Sequence, residues 1–380
     1  MRIVTRGGCL ALLSAACALT PAAHDPYWLA HNLQLTTHES EFSRQNHTAA
    51  VLRDLQLADL DFAGTVLEKA DFSNASLKNI NFYAAHLRDT RFVNSKWDHV
   101  NLTGADLRGA DLRGADIQNA ILKDADLRGA NLAGSRLINV DLTHAQLAGI
   151  DLRTTQFVNV QLDDADLSYS NLDSVDLTST RMRRTLLNKA SLTQANLTSV
   201  DLFKAGLRGA KISDTNFNNA NLNVADFSKA HGKETRFIRS QMIGVNMRNT
   251  SIENADFSDA DMRESVLVES ELVAARFDGA NLELSDASWS QWPNARAAKA
   301  HLSRVNFTRA KLIGLQANEA EFRWCNFNQA DLSGAQFVNA QMHKADMRGA
   351  DISNVDFTGA LYMDYVIGLE LARHLDEARF

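Results

Sequence analysis

From Leu52 to Phe357 every fifth residue is large and apolar, running Leu57, Phe62, Leu67, Phe72, Leu77 and onward in one unbroken phase. The only exceptions are Gly232, Ala287, Ala297 and Ala317. Two residues before each large side chain stands a small one, as at Ala105, Ala110, Ala115, Ala120, Ala125 and Ala130, with Ser, Thr or Val substituting elsewhere. Asp or Asn is common between the two, and Ser, Thr, Arg or Gly often follows. A period of five matches neither the helical period of 3.6 nor the strand period of two. It fits a short extended segment closed by a turn. The small and large residues, two apart, then point to the same side of the backbone, and the Asp or Asn between them points away. Repeated turning in one sense winds the chain into a coil filled by one large and one small side chain per repeat, which is the pattern of a solenoid.

Stretches such as Ala105-Asp106-Leu107-Arg108-Gly109 and Ala110-Asp111-Leu112-Arg113-Gly114 resemble the consensus of the pentapeptide-repeat family, and the resemblance runs over most of the chain. It implies an all-β fold, a right-handed quadrilateral β-helix with four pentapeptides per coil. The five-residue period alone leaves the number of sides open. Phe217, Phe237, Phe257 and Phe277 recur at twenty and would stack in one ladder if the sides are four. The expected particle is an elongated monomer or an end-to-end homodimer. Both ends of such a coil expose unpaired backbone and apolar side chains, so caps are expected. The predicted boundaries are a leader over 1–23, an N-terminal cap segment over 24–49 carrying Tyr27, Trp28, Leu29 and Leu33, the repeat over 50–360, and a C-terminal capping helix over 361–380 with Ile367, Leu371 and Leu375 on one face.

Composition changes little along the repeat: of 380 residues only three are proline, and no charge block or Gly/Ser linker divides them. The formal charge of −7, or −9 once Arg2 and Arg6 are removed with the leader, disfavours direct nucleic-acid binding. Arg2 and Arg6 form a basic n-region before a short apolar run over 7–19, too short to span a bilayer, so the start reads as an export signal. Two cleavage readings stand side by side. Thr20-Pro21-Ala22-Ala23 suits ordinary cleavage near 22/23, whereas Leu13-Ser14-Ala15-Ala16-Cys17 resembles a bacterial lipobox cut at 16/17, with Leu13 one place early. The second would make Cys17 the lipidation site and a lipid the only membrane contact. The expected location is the bacterial envelope, periplasmic or lipid-anchored. Cys9 and Cys17 lie in the leader and leave Cys325 alone, so no disulfide framework is expected.

The abundant aspartates, such as Asp106, Asp111, Asp116 and Asp126, occupy a slot filled by the repeat rule and read as turn formers. Arg88, Arg108 and Arg128 would form a solvated column moderated by them. His24, His31 and His38 recur at seven, with His47 nearby; on a helix they would lie about 10 Å apart, too far to share an ion, whereas extended or looped geometry could converge them, and a simple polar cap is the expected reading. Cys325 sits at a small inward position and reads as core filler. No phosphate loop, metalloprotease motif or nucleophile elbow is present, so no catalytic residue, cofactor or metal is assigned. The repeat is disturbed at 285–297, where Ala287 and Ala297 shrink two inward slots, Trp292 takes another and Pro293 removes a backbone donor. Trp292 is expected to fill the lost volume, while the register points Trp289 outward. These two mark the candidate partner-binding site. The functional expectation is a non-enzymatic interaction or scaffold protein of the bacterial envelope with a protein partner. The family resemblance also suggests an acidic rod that imitates duplex DNA and binds a type II topoisomerase, against which the export signal and modest charge weigh.

Overall fold

The structure, a computed structural model, describes residues 42–380. The leader with Cys17, residues 24–41 of the expected N-terminal cap, and His24, His31 and His38 lie outside the described residues.

Each residue of an extended segment pairs in parallel with the residue twenty further on, as in Leu57 with Leu77, Leu77 with Trp97, and Val51 with Asp71. A turn every five residues therefore closes each coil in four sides, the number that the period left open. Within a repeat, Ala70 N–H donates to the Leu67 carbonyl at 3.0 Å, and the intervening Lys69 is left-handed with φ 59°. That turn slot follows the inward residue by two and holds Gly, Asn or Asp often, since these adopt positive φ at least cost. The Asp or Asn slot has its own task. Asp71 Oδ1 accepts the Ser73 N–H at 3.0 Å, and Asp141 Oδ1 that of Thr143 at 2.9 Å, so the side chain braces the turn two residues on.

The chain forms two compact units. The first comprises residues 42–171 with Ser179–Arg181. On one of its sides β1 (Gln56–Ala58), β2 (Ser76–Lys78), β3 (Lys96–Asp98), β4 (Asp116–Gln118), β5 (Arg136–Ile138) and β6 (Gln156–Val158) stack in order as a parallel sheet. β7 (Val160–Gln161) and β8 (Thr180–Arg181) pair on the next side. Phe62 stacks on Phe82 at 5.4 Å and Phe72 on Phe92 at 5.0 Å. The coil begins earlier than the boundary at 50 expected from sequence. Phe42 is buried 5.3 Å from Phe62, and Asn46 bridges to Val66. Residues 42–49 thus already belong to the coil. A histidine hid the phase: His47 occupies the large inward slot, where burial lowers its pKa.

The second unit comprises Leu172–Thr178 and Met182–Phe380. Phe217, Phe237, Phe257 and Phe277 form the expected ladder, with ring separations of 5.2, 4.8 and 5.0 Å and interplanar angles of at most 4°. At Gly232, in β9 (His231–Lys233), an added Cβ would lie 2.7 Å from the Ser213 nitrogen, so the backbone comes closer there than any side chain allows. β9 pairs in parallel with β10 (Ser251–Glu253). The C-terminal segment is not the single capping helix expected over 361–380. It forms three short 3-10 turns, Met363–Tyr365, Leu369–Leu371 and Leu375–Glu377, each preceded by a left-handed residue, Tyr362, Gly368 and His374. Leu361, Ile367, Arg373 and Arg379 bridge to Gln341, Asp346, Asp351 and Asp356. The segment is one more coil with sides of six residues rather than five. Its half-buried residues, Met363, Val366, Leu369, Ala372, Leu375 and Ala378, recur every three, a spacing close enough to the helical period to imitate it. Ile367 and Leu371, placed on the buried face by the helix reading, are exposed. Phe380 stacks on Phe357 at 5.4 Å. Among the described residues no helix is long and apolar enough to cross a membrane.

Candidate interaction surface

Trp292 is fully buried. Its ring stacks on Phe277 at 4.4 Å and 18°, and meets Phe307 edge-on at 5.3 Å. It continues the phenylalanine ladder where Ala297 supplies no ring, beside the slot reduced to Ala287. The indole therefore repairs two deficits at once. Its Nε1 has no hydrogen-bond partner among the described residues, so aromatic packing rather than polar bonding holds it.

Trp289, three residues earlier, lies in the left-handed turn slot at φ 60° and is 51% exposed. The Arg309 guanidinium sits 4.6 Å from its ring centroid, one coil on, and Arg309 Nε donates to Gln329 Oε1 at 2.8 Å. Such a cation over an exposed indole contributes about 0.5–1 kcal/mol and fixes the ring's pose. The structure does not bring Trp289 and Trp292 into one site, because one faces solvent and the other the core. A second outward indole escaped the sequence reading. Trp324 occupies the same turn slot, with φ 61° and 51% exposure, and Lys344 Nζ lies 4.2 Å from its ring. His343 stands 6.0 Å from Trp324 and is itself flanked by Tyr362 and Tyr365, both exposed. The signal was available: both indoles follow an inward position by two.

Most other reactive groups are engaged by the fold. Arg108 grips Asp106 through two hydrogen bonds of 2.8 and 2.6 Å, Arg128 grips Asp126 at 2.9 and 2.6 Å, and Arg88 reaches Asp106 at 3.5 Å. The expected arginine column is thus neutralised by the aspartates. The Arg108 hydrogen bonds pull the Asp106 carboxyl down to about 2. Cys325 is buried and donates to the Leu302 carbonyl at 2.7 Å, and burial pushes its thiol pKa up, away from reactive thiolate. Among the described residues no group of His, Cys, Asp and Glu is placed to hold a metal ion.

The net charge of −7 conceals a strong segregation within the second unit. Residues 183–248 carry eleven Lys and Arg against four Asp and Glu, whereas 251–286 carry ten acidic residues against two basic. From 287 to 380 ten of each sign cancel. A whole-chain sum cannot show this.

These features define the class, a four-sided parallel β-solenoid whose inward columns are set by its repeat. The chain belongs to the pentapeptide repeat family: the description "Pentapeptide repeat region" matches residues 65–137 and 210–294, and "Pentapeptide repeats (8 copies)" matches 120–157, 155–194, 180–219 and 320–359. Among solved structures it is similar to HetL, a pentapeptide repeat protein involved in heterocyst differentiation regulation from the cyanobacterium Nostoc. The identity is 24%, over 66% of this chain and 91% of that one, with a TM-score of 0.30. Full-length QnrB1, a plasmid-mediated fluoroquinolone resistance protein, is 22% identical over 43% of this chain and 84% of that one, with a TM-score of 0.35. A pentapeptide repeat protein of the Arabidopsis thaliana thylakoid lumen is 23% identical over 31% and 71%, with a TM-score of 0.19. A search of curated proteins finds no match.

Proposed function

We propose that this chain is a non-enzymatic interaction protein of the bacterial envelope, a scaffold that holds a protein partner against its outward aromatic corners. The observation that carries the reading is the pair of half-exposed indoles, Trp289 under Arg309 and Trp324 under Lys344, in turn slots that mostly hold small or polar residues. Tryptophan and arginine are the residue types most enriched at binding hot spots, and a rigid backbone presents them at little entropic cost. Specificity needs a place where a uniform repeat is broken, and these corners break it. The envelope setting rests on the basic Arg2 and Arg6 before the apolar run over 7–19, with Cys17 as the residue that would carry lipid. The DNA-imitating reading draws less support, because an imitation of duplex DNA calls for continuous negative surface and residues 183–248 are basic.

A photo-crosslinking residue placed at Trp289 or Trp324 in cells, with Ser353 as a control position, tests the partner. The expected result is one discrete adduct with an envelope protein from either indole position and none from Ser353. Absence of an adduct from both indole positions contradicts the reading. Fractionation tests the address: the native chain is expected in the envelope, with Cys17→Ser releasing it from membranes if lipid is the anchor. Uncleaved chain held in the cytoplasm overturns the envelope setting.

A further inference from the structure

Part of the segregated charge of the second unit lies along one side of the coil, which holds three of the ten acidic residues of 251–286. Lys204, at the corner where that side begins, is followed on it by Arg208, Lys229 and Arg248, all exposed and spread over about two coils; the one carboxylate among them, Asp226, is half-buried and accepts from Ser228 N–H and Asn246 Nδ2. The same corner and side then carry Glu264, Glu269 and Asp286, the first two exposed. Elsewhere in the chain Arg and Asp neutralise one another locally, as at Arg263 with Asp261 or Arg183 with Asp201. Lys204, Arg208, Lys229, Arg248, Glu264 and Glu269 form no salt bridge among the described residues. At a strand spacing of about 4.8 Å the centres of the cationic and anionic groups lie roughly 12 Å apart along the coil axis.

We propose that this side is a self-association surface on which a second copy of the chain docks antiparallel, each copy's cationic band against the other's anionic band. The order of the charges selects this occupant. A polyanion laid along the side would pass from the cations into the carboxylates within roughly 12 Å. A parallel copy in register would set like charge on like, and a parallel copy displaced along the axis would satisfy one pair of bands and leave the other open to further addition. Only a partner carrying both signs in reverse order satisfies both bands together, and the chain itself is such a partner about a two-fold axis near residue 249. The contact is one side wide, well under the ~800 Å² per partner of an ordinary stable interface, so attraction between charges has to carry it. The association is therefore weak and dependent on salt.

Sedimentation equilibrium of the wild-type chain, of Arg208→Glu/Lys229→Glu/Arg248→Glu and of Glu264→Lys/Glu269→Lys tests this directly. All these side chains are on the surface, and circular dichroism checks that each variant keeps its fold. Wild type is expected to dimerise at low salt, with its dissociation constant weakening at least about tenfold in 1 M salt, where the screening length falls to about 3 Å. Each variant alone is expected to remain monomeric. An equimolar mixture of the two is expected to form a heterodimer, because one copy then presents two negative bands and the other two positive. A wild-type monomer at low salt, a dimer indifferent to salt and to both variants, or a mixture that stays monomeric overturns the proposal. A low-salt monomer retained on heparin, with retention lost in the Arg/Lys→Glu variant, would assign the band to an acidic polymer instead.

Discussion

Residues 105–128 and 285–297 show the same repeat under two regimes. In the first, every inward slot is Leu, Ile or Ala, and the outward arginines Arg108, Arg113 and Arg128 are gripped by the aspartates that brace their own turns. Outward side chains there serve the fold. In the second, the inward slots alternate Ala287, Trp292 and Ala297, one ring doing the filling of three, while Trp289 stands outward under Arg309. The difference shows that a break in the repeat can be repaired from inside while an outward position three residues away takes no part in the repair. Packing and the proposed binding then fall on different residues only three apart in sequence.

The largest expected effect comes from breaking the regular region. Leu127→Asp places an unpaired carboxylate in a dry column and is expected to cost more than about 4 kcal/mol, enough to abolish a cooperative denaturation transition for the first unit. Arg128→Ala, one residue away, is expected to be nearly silent, because its ion pair with Asp126 is exposed. Equal effects on the urea midpoint would mean that the two residues do not face opposite ways.

Breaking the repaired region comes next. Trp292→Ala opens a cavity between Phe277 and Phe307 and is expected to cost about 3–5 kcal/mol. Trp292→Phe is expected to recover a good part of that, since it keeps a ring on Phe277 and removes the unpaired Nε1. If the two substitutions are equally costly, ring stacking is not what the indole supplies.

A smaller effect sharpens the role of the outward ion pairs. Arg108 holds the Asp106 carboxyl at about 2, below its ordinary value of 3.8. The folded pKa is depressed, so the stabilisation is present above the unfolded pKa and is lost as pH falls through the folded one. Arg108→Gln is expected to raise the Asp106 pKa toward its ordinary value in a carbon-detected NMR titration. It is also expected to lower stability only slightly at neutral pH, since the ion pair is solvated. That difference should vanish as pH is lowered from about 4 to about 2. An unchanged Asp106 titration would show that the hydrogen bonds to Arg108 are not what depresses it.

Much of this architecture was legible because the repeat dictates it. The inward phase, the ladder of Phe217, Phe237, Phe257 and Phe277, the burial of Trp292 and the outward pose of Trp289 all follow from position within five residues. What escaped was whatever departs from the consensus residue while keeping the geometry. His47 is polar in an apolar slot, so the coil's first described repeats looked like a cap. The six-residue sides of the last coil place apolar residues every three, which reads as helix until backbone pairing of Ile367 with Asp346 is seen. Trp324 lay in a slot whose usual occupants carry no meaning, and the charge bands vanish in a sum over the chain. Four sides, likewise, required the register of twenty.

The separation of packing from recognition is tested most directly by measuring thermal stability and partner crosslinking on the same two single variants. For crosslinking each carries the photoreactive residue at Trp324. Trp289→Ala is expected to lower stability by no more than about 1 kcal/mol, the contribution of the lost Arg309 contact, and to lose most of the adduct. Trp292→Ala is expected to lower the melting temperature sharply while the adduct, measured below that melting point, is retained. An adduct of undiminished yield from Trp289→Ala, or a melting loss as large as that of Trp292→Ala, would contradict the account.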